Sequence, residues 1–326
     1  MRILVTGGAG FIGSHLVEKL LAAGFSVDNI DNFVDYYDPQ IKRDNIAECL
    51  TSANFRLLEG DIRDRSFLAD VFDSHEYEMV IHLAAMAGVR PSLEQPLLYS
   101  EVNIGGTQNL LEECRKSKIK KFIFASSSSV YGNNPNLPFR EDDPVDYPIS
   151  PYAATKKAAE LICHTYHHLF DISMICLRFF TVYGPRQRPD LAIHKFTRLI
   201  SEGQSVKLYG DGSTARDYTY IDDVISGIMG AVKYVYKNKC YEVINLGESK
   251  TINLLDMVNI ISEEMGKKVK KEFVPMQAGD VQITYASIDK ARKMIGYHPD
   301  TDFREGIRKF LGWYYENNKM RYMEDQ

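Results

Sequence analysis

Cysteine is scarce in this 326-residue sequence, and its copies are scattered. No two cysteines form a Cys-x-x-Cys pair, and Cys163, which lies beside His164, has no second cysteine close to it in the sequence. The cysteines are odd in number, and they are Cys49, Cys114, Cys163, Cys176 and Cys240. This pattern excludes a disulfide framework and a structural zinc site. We therefore expect reduced thiols and no bound metal.

Long apolar runs and long basic runs are also missing. No segment approaches the roughly 20 apolar residues of a membrane-spanning helix, and the chain runs from Met1 into a glycine turn without the apolar core of a signal peptide. Basic residues gather only near 118–121 and 267–271, and the net charge is -5. The sequence therefore predicts a cytoplasmic protein that spans no membrane and binds no nucleic acid.

The first half of the sequence alternates short apolar runs with amphipathic stretches. With 44% hydrophobic and 25% charged residues, the chain can bury a large core. Strands are predicted over residues 3–5, 25–30, 55–58, 79–83, 122–125 and 173–180. Helices are predicted between them over residues 13–23, 66–73 and 103–117. This rhythm predicts an α/β fold with a doubly wound parallel sheet and right-handed crossovers.

The first predicted strand leads into a glycine pattern. Gly7, Gly10 and Gly13, with Phe11 and Ile12 between the last two, give Gly-x-x-Gly-x-x-Gly at the start of the first predicted helix. Glycines there permit a tight turn and bring the backbone close to a pyrophosphate at the positive end of the helix. Turns also collect glycine, so it is the position after the first strand that favours a Rossmann-type dinucleotide site.

A carboxylate ends the second predicted strand. Asp31 lies eighteen positions after Gly13, where an acidic side chain accepts hydrogen bonds from ribose hydroxyls and repels a 2′-phosphate. This favours NAD over NADP, and a simple turn-forming role for Asp31 is the alternative. Further residues expected to contact the cofactor are Asn32, Asp61, Ile62, Leu83, Ala84, Ala85 and Asn103.

Beyond Gly184, proline and glycine break the chain more often. A helix over residues 221–233 and a strand over 241–246 are expected to return to the first sheet, and a later strand is predicted over 269–274. We therefore predict two domains. Residues 1–180 with about 217–247 form the NAD-binding domain, and about 181–216 with 248–326 form a smaller C-terminal α/β substrate domain.

A tyrosine and a lysine lie four residues apart in Tyr-Ala-Ala-Thr-Lys. On a helix this spacing places Tyr152 and Lys156 on one face, one turn apart. A lysine cation beside a phenol favours the phenolate, so a group with a reference pKa of about 10 can act as a base near neutral pH. Alone, the pair also fits an ordinary solvated helix.

Together these motifs resemble the extended short-chain dehydrogenase/reductase family, and within it the nucleotide-sugar epimerases. Elements in family order across almost the whole chain are the glycine pattern, His82-Leu83-Ala84-Ala85, the serine run 126–129, Tyr152 with Lys156, and Arg216-Asp217-Tyr218. The resemblance implies a tightly held NAD, a UDP- or dTDP-sugar substrate, and Ser127, Tyr152 and Lys156 as catalytic residues. It also implies a homodimer through helices near 101–117 and 152–170.

The serines before Val130 limit which reactions this site can catalyse. Dehydratases of this fold carry an Asp-Glu pair where this chain has Ser128 and Ser129, because elimination of water needs an acid and a base. Relatives that decarboxylate their substrate to UDP-xylose carry glutamate at the position of Ser129. The absence of these carboxylates leaves epimerisation, an isomerase activity, as the predicted reaction.

Three segments, 31–39, 87–90 and 179–190, look most like those of UDP-glucuronate 4-epimerases. Thr181 stands where epimerases of neutral sugars usually have asparagine, and the guanidinium of Arg188 can pair with a sugar carboxylate in a two-bond fork. Residues expected to bind the substrate are Arg90, Ser128, Ser129, Thr181, Arg188, Arg216 and Asp280. A solvated cation or a phosphate contact is the alternative for Arg188, and a contact to a nearby arginine is an alternative for Asp280.

The expected function is NAD-dependent conversion of UDP-glucuronate to UDP-galacturonate through a transient 4-keto sugar. One alternative is a UDP-glucose or UDP-N-acetylglucosamine 4-epimerase, which Thr181 and Arg188 disfavour. Others are a net NAD-dependent reductase or dehydrogenase and a catalytically silent NAD-binding protein. The intact set of Ser127, Tyr152 and Lys156 disfavours the silent protein.

Overall fold

The structure, a computed structural model, describes residues 1–275 and 281–324, with side chains as far as residue 317. Asp280 therefore lies outside the described residues. The strands are β1 Arg2–Thr6, β2 Ser26–Asp31, β3 Phe55–Glu59, β4 Met79–His82, β5 Lys121–Ser127, β6 Ser173–Phe179, β7 Thr181–Tyr183, β8 Ser205–Tyr209, β9 Ala215–Arg216, β10 Tyr218–Tyr220, β11 Tyr241–Leu246, β12 Ile252–Asn253 and β13 Lys270–Val274. The α-helices are α1 Phe11–Ala22, α2 Pro39–Asn45, α3 Arg65–Ser74, α4 Val89–Glu94, α5 Pro96–Ser100, α6 Thr107–Lys116, α7 Pro151–Phe170, α8 Ala192–Ser201, α9 Ile221–Lys237, α10 Leu254–Glu264, α11 Asp289–Ile295 and α12 Phe303–Glu324.

Seven parallel strands form the central sheet in the order β11-β6-β5-β4-β1-β2-β3. The strands β1, β4 and β5 at the centre carry apolar runs, as expected where helices cover both faces; Ile3, Leu4 and Val5 of β1 are fully buried. The strand order reverses between β1 and β4, and ligands of open parallel sheets bind at the carboxyl ends beside such a switch point. The predicted doubly wound fold is confirmed.

The long helix α7 carries the predicted tyrosine and lysine. Ser150 precedes it, and the Ser150 Oγ accepts a hydrogen bond from the Ala153 N–H at 3.2 Å. Pro151 occupies the first turn, where its fixed φ suits a helix and its missing N–H costs nothing. The helix ends at Asp171, whose φ of 56° is left-handed. Since α7 packs on β5 and β6, its start lies at the carboxyl edge of the sheet.

A π-helical turn, Glu101–Gly106, stands between α5 and α6. The sequence predicts one continuous helix over residues 103–117, and the structure divides it. The Thr107 hydroxyl donates to the Asn103 carbonyl at 2.6 Å, so a side chain competes for an acceptor that a regular helix would use.

The C-terminal part of the chain builds smaller sheets. β7 pairs with β10 and β8 with β13 in parallel, and β9 pairs with β12 in antiparallel fashion. The strand β11 instead joins the central sheet beside β6. The helix α9 packs against β5 and β6 of the same sheet. The boundaries of the two predicted domains remain a prediction. Within residues 1–275 and 281–324, no helix is both long enough and apolar enough to cross a membrane.

Candidate active site

The glycine loop joins β1 to α1 and is tightly folded. Gly7 has a φ of +74°, and the Gly10 N–H donates to the Gly7 carbonyl at 3.1 Å. A Cβ on Gly7 would lie 2.7 Å from the Ala84 backbone nitrogen, and a Cβ on Gly13 would lie 2.1 Å from the Gly7 carbonyl oxygen. Side chains are therefore excluded at both positions, and the backbone at the start of α1 stays open to the cavity above the sheet edge.

Asp31, at the end of β2, lies under this loop. Its Oδ2 accepts from the Ala9 N–H at 3.2 Å, and its Oδ1 accepts from the Phe33 N–H at 3.0 Å and from the Lys42 Nζ at 3.5 Å. These donors fix the carboxylate on the wall of the cavity. Lys42, which the sequence patterns did not indicate, also lies over the Tyr37 ring, 5.5 Å from its centre.

Asn32 and Asp61 meet at neighbouring strand ends. Asn32 Nδ2 donates to Asp61 Oδ2 at 3.0 Å, and Arg63 donates to both carboxylate oxygens at 3.0 and 2.8 Å. The hydrogen bond from Arg63 is the largest cause that lowers the pKa of Asp61, to about 2. The Asp61 carboxylate is therefore charged at neutral pH.

A buried chain of hydrogen bonds fixes the loop after β4. The Ala84 N–H donates to Thr6 Oγ1 at 3.2 Å, Thr6 Oγ1 lies 2.7 Å from His82 Nδ1, and His82 Nε2 lies 3.0 Å from Thr107 Oγ1. Burial lowers the pKa of His82 to about 3, so the ring is neutral. Because the Thr107 hydroxyl donates onward to a carbonyl, Nε2 carries the proton and the Thr6 hydroxyl donates to Nδ1.

Asn103 does not reach the cavity. Its Oδ1 accepts from the Met86 N–H at 2.9 Å, and its Nδ2 donates to the Met86 carbonyl and to Thr155 Oγ1, each at 3.0 Å. The sequence predicts a direct contact between Asn103 and the cofactor, and the position of Asn103 in the structure does not agree with that prediction. The Asn103 amide instead ties the backbone of Met86, which lines the cavity, to α7.

Tyr152, Lys156 and Ser127 lie together on the wall of the same cavity. Lys156 is buried, and its Nζ donates to the Ala125 carbonyl at 2.8 Å. Burial lowers the pKa of Lys156 to about 8. Ser127 Oγ accepts from the Ser129 N–H at 3.2 Å and from the Ser129 hydroxyl at 2.9 Å, so the Ser127 proton is left for another acceptor.

The pKa of Tyr152 is raised by burial, and a hydrogen bond with Ser127 and the charge of Arg188 oppose that rise. The sequence argument expects Lys156 to be the group that lowers this pKa. In the structure, the Lys156 Nζ donates to the Ala125 carbonyl, and the expected effect of Lys156 on the pKa of Tyr152 stays a prediction. A hydroxyl and a guanidinium favour the phenolate here.

Arg188 and Thr181 line the cavity with Tyr152. Arg188 Nε and Nη2 donate to the two carboxylate oxygens of Asp190 at 3.0 and 2.7 Å. The guanidinium also lies over the Tyr36 ring, 5.0 Å from its centre. Tyr36 and Asp190 lie in the segments 31–39 and 179–190 that carry the resemblance, but no role is predicted for either from the sequence.

One cavity of about 560 Å³ brings most of the predicted residues together. Those on its wall are Gly7, Gly10, Phe11, Ile12, Gly13, Asp31, Asn32, Asp61, Ile62, Leu83, Ala84, Ala85, Ser127, Ser128, Ser129, Tyr152, Lys156, Thr181, Arg188 and Arg216. A second cavity of about 530 Å³ is lined by Arg90 and again by Arg216. Arg90 lies over the Tyr209 ring, 4.9 Å from its centre.

The larger cavity fits a dinucleotide. Gly7 and Gly13 expose backbone at the start of α1, where a pyrophosphate binds, and Asp31 presents a carboxylate at the end of the next strand. Asp61 and Tyr152 line the same cavity, so it can receive both the adenine half and the reactive half of a dinucleotide.

Comparison with known proteins agrees with this geometry. The family model described as GDP-mannose 4,6 dehydratase matches residues 4–310. The UDP-glucuronate 4-epimerase of Thermodesulfobacterium geofontis is 44% identical over 316 residues, which is 96% of each chain. The structure of the UDP-glucuronic acid 4-epimerase from Bacillus cereus, in complex with UDP-glucuronic acid and NAD, is 38% identical with a TM-score of 0.92 over 97% of this chain and 100% of that chain. The UDP-glucose 4-epimerase from Thermotoga maritima, a structure with UDP-glucose, is 32% identical with a TM-score of 0.89 over 98% and 100%.

The chain belongs to the extended short-chain dehydrogenase/reductase family, among the NAD-dependent nucleotide-sugar epimerases. The predicted family, the Rossmann-type fold, the epimerase class and the NAD cofactor are thereby confirmed. Epimerases named for UDP-glucuronate and for UDP-glucose both match along almost the whole chain. The sugar must therefore be argued from the side chains of the site.

Proposed function

We propose that this epimerase interconverts UDP-glucuronate and UDP-galacturonate. The observation that carries the proposal is the guanidinium of Arg188 on the wall of the cavity that holds Tyr152. A cation beside the reacting centre suits a sugar with a carboxylate at C5, because guanidinium and carboxylate pair in a fork. The relatives named UDP-glucuronate 4-epimerase, at 44% and 38% identity, support the proposal.

Tyr152 acts as the base. As a phenolate, favoured by Ser127 and Arg188, it removes the proton from the sugar O4 and later returns it. When the sugar is bound, Ser127 turns its one hydroxyl proton from the Tyr152 oxygen to O4 and steadies the developing carbonyl. The chemistry that bound NAD supplies is removal of the hydride from C4 and its return to the opposite face of the 4-keto sugar.

Lys156 links α7 to the end of β5 on the wall of the site. Its Nζ uses one donor on the Ala125 carbonyl, two residues before Ser127, and retains others for the nicotinamide ribose. We assign it to fixing α7 against the end of β5 and to binding that ribose.

Thr181, Ser128 and Ser129 complete the proposed sugar site beside Arg188. Their hydroxyls can hydrogen-bond the sugar, and none is acidic or basic enough to drive elimination of water. The carboxylate needs restraint, because a 4-keto sugar with a carboxylate at C5 is a β-keto acid. Arg188 and Thr181 hold the carboxylate so that the C5–C6 bond is out of alignment with the carbonyl π system.

The nucleotide part of the substrate is assigned to the second cavity. Arg90 and Arg216 supply positive charge for a pyrophosphate, and Tyr209 supplies an aromatic surface. Because Arg216 borders both cavities, a UDP-sugar can extend from one into the other. We assign about 181–216 and 248–326 to the nucleotide-sugar-binding domain, with Arg90 contributed by the NAD-binding domain.

A UDP-glucose 4-epimerase is the second candidate. The Asp190 carboxylate already pairs with one edge of Arg188, which reduces the net positive charge offered to a sugar acid. A neutral hydroxymethyl group can still accept a hydrogen bond from the same guanidinium. The relative named UDP-glucose 4-epimerase, at 32% identity, supports this candidate.

Incubation of the purified protein with UDP-glucuronate, UDP-glucose and UDP-N-acetylglucosamine, each without added cofactor, separates these functions. Proton NMR follows the anomeric signals. We expect UDP-galacturonate to form, and faster than either neutral product. Conversion of a neutral sugar alone would assign that sugar instead. A steady change in nicotinamide absorbance with a demand for added cofactor would indicate a net oxidoreductase.

We also propose a cytoplasmic homodimer that forms through the helices near 101–117 and 152–170, with α5 packed beside them. Leu97, Leu161 and Leu169 are exposed by 77%, 57% and 61%, and apolar side chains of this size favour burial against a second copy. Sedimentation should give the mass of two chains, and Leu97→Glu combined with Leu161→Glu should give the mass of one. The proposed cytoplasmic location agrees with the free thiols of all five cysteines.

A further inference from the structure

Arg188 is held on two sides by residues from different parts of the chain. Asp190, on the same loop, accepts from Nε and Nη2 at 3.0 and 2.7 Å. The ring of Tyr36, from the loop after β2, lies against the guanidinium face, 5.0 Å from the ring centre. The fork uses Nε and Nη2, so the N–H groups of Nη1 remain outside it.

The two partners stand on different sides of the arginine. Arg188 and Tyr36 line the cavity that holds Tyr152, whereas Asp190 lines the second cavity. The Asp190 carboxylate therefore binds the guanidinium from the side of the second cavity. The sugar approaches from the side of the cavity that holds Tyr152. Since a guanidinium can receive carboxylates on two edges, the pair with Asp190 leaves room for a second one.

We propose that Asp190 and Tyr36 are positioning residues that hold Arg188 with the free edge of its guanidinium toward the carboxylate of an acidic sugar. The inference rests on the proposed function, because it requires that acidic sugar. An arginine on a loop loses rotamer entropy when it binds a ligand. The fork with Asp190 and the Tyr36 ring remove that freedom before the sugar arrives, which is preorganisation.

The position of the guanidinium also decides the fate of the 4-keto sugar. Loss of carbon dioxide breaks the C5–C6 bond, the electron pair of that bond forms the enolate of the C4 carbonyl, and a proton from water then adds to C5. No oxidant or reductant is consumed. A fixed Arg188 keeps the C5–C6 bond out of alignment with the carbonyl, whereas a loose Arg188 lets the carboxylate turn and a 4-keto pentose form.

The test compares Asp190→Asn and Tyr36→Leu with the wild-type holoprotein. Asp190→Asn keeps the size of the side chain and removes one acceptor of the fork, and Tyr36→Leu removes the ring. Tyr36→Phe keeps the ring and is the conservative variant. Asp35→Asn removes the same charge at an exposed position beside Tyr36 and is the matched control. The measurements are kcat and KM for UDP-glucuronate, the affinity for UDP, and the carbon dioxide released per turnover.

We expect kcat/KM for UDP-glucuronate to fall about tenfold in Asp190→Asn and in Tyr36→Leu, the effect of weakening one charge-assisted contact. Carbon dioxide released per turnover should rise at least about threefold, because a small change in orientation has a large kinetic effect. The affinity for UDP, which has no sugar, should fall far less than kcat/KM for UDP-glucuronate. Tyr36 lies outside the second cavity, and Asp190, which lines it, is an anion that offers a pyrophosphate no favourable contact. Asp35→Asn should match the wild type in every measurement. Tyr36→Phe keeps the ring but loses the hydroxyl that is hydrogen-bonded with Arg188, so its kcat/KM should lie between those of Tyr36→Leu and the wild type.

Three results would overturn the inference. A loss of UDP affinity equal to the loss on UDP-glucuronate would make the role structural, and unchanged carbon dioxide release would leave Arg188 correctly placed without its partners. A higher kcat/KM for UDP-glucuronate in Asp190→Asn would make Asp190 a competitor of the sugar. Failure of the wild type to convert UDP-glucuronate would instead refute the proposed function, and the inference with it.

Discussion

Glu248 carries a charge that the fold disfavours at neutral pH, so the stability of the protein should depend on this residue and on pH. It lies after β11 with a side chain only 7% exposed, and its Oε1 is 3.6 Å from the Lys250 ammonium. Its Oε2 has no hydrogen-bond partner in the described part of the chain. Burial, followed by the charge of Asp223, raises the pKa of Glu248 to about 7.

The magnitude follows from the folded and unfolded pKa values. The ordinary pKa is 4.5 and the folded value is about 7, so between them the folded state keeps a proton that the unfolded state has lost. The stabilisation from holding this proton is complete below the unfolded pKa and is lost as the pH rises through the folded pKa. The difference between the two values corresponds to roughly 3 kcal/mol of unfolding free energy.

Glu248→Gln removes this titration and keeps the shape of the side chain. Relative to the wild type, its unfolding free energy should rise by roughly 1–3 kcal/mol between pH 5 and pH 8, because only the wild type loses stability there. Urea unfolding followed by circular dichroism at several pH values measures the difference. Glu272→Gln, at an exposed position on β13, is the control and should give a difference independent of pH. A flat difference for Glu248→Gln, or a variant less stable than wild type at pH 8, would refute the reasoning.

Three further predictions concern the site. Tyr152→Phe should lower kcat by about 10²–10⁴-fold, the usual loss when a general base is removed, while denatured protein still releases NAD; robust turnover would exclude Tyr152 as the base. Arg188→Ala should lower kcat/KM for UDP-glucuronate by about 10–100-fold, as expected for loss of a charged hydrogen-bonded pair, and lower that for UDP-glucose far less; equal losses would contradict the carboxylate contact. Gly13→Ala should abolish NAD retention, because its Cβ would lie 2.1 Å from the Gly7 carbonyl oxygen. Gly312→Ala, whose Cβ would meet nothing within 4 Å, is the control and should retain NAD.

The features that sequence predicts well here are local ones. Gly7 and Gly13 stand in a fixed pattern between a strand and a helix, and the structure shows the close backbone contacts that the pattern requires. The apolar runs that become β1 and β5 are similarly continuous because both faces of the sheet are covered. The four-residue spacing of Tyr152 and Lys156 places both on α7 at the cavity wall.

The features that sequence misses depend on where distant residues meet. Lys156 donates to the Ala125 carbonyl, a partner that helical spacing cannot indicate. Asn103 binds the backbone of Met86 and the Thr155 hydroxyl, which are distant in sequence, and it lies in a π-helical turn where the sequence predicts a regular helix. Tyr36 contacts Arg188 only because the loops after β2 and β7 converge above the sheet edge.

The central claim is that Tyr152 and the cofactor oxidise and reduce C4 of a UDP-uronate within one site. The most direct measurement is to incubate the purified protein, without added cofactor, with UDP-glucuronate deuterated at C4 and to analyse the product by NMR. The account predicts UDP-galacturonate that retains the deuterium at C4, because the same hydride is removed and returned. UDP-galacturonate that has lost the deuterium to solvent, or a failure to form UDP-galacturonate, would contradict it.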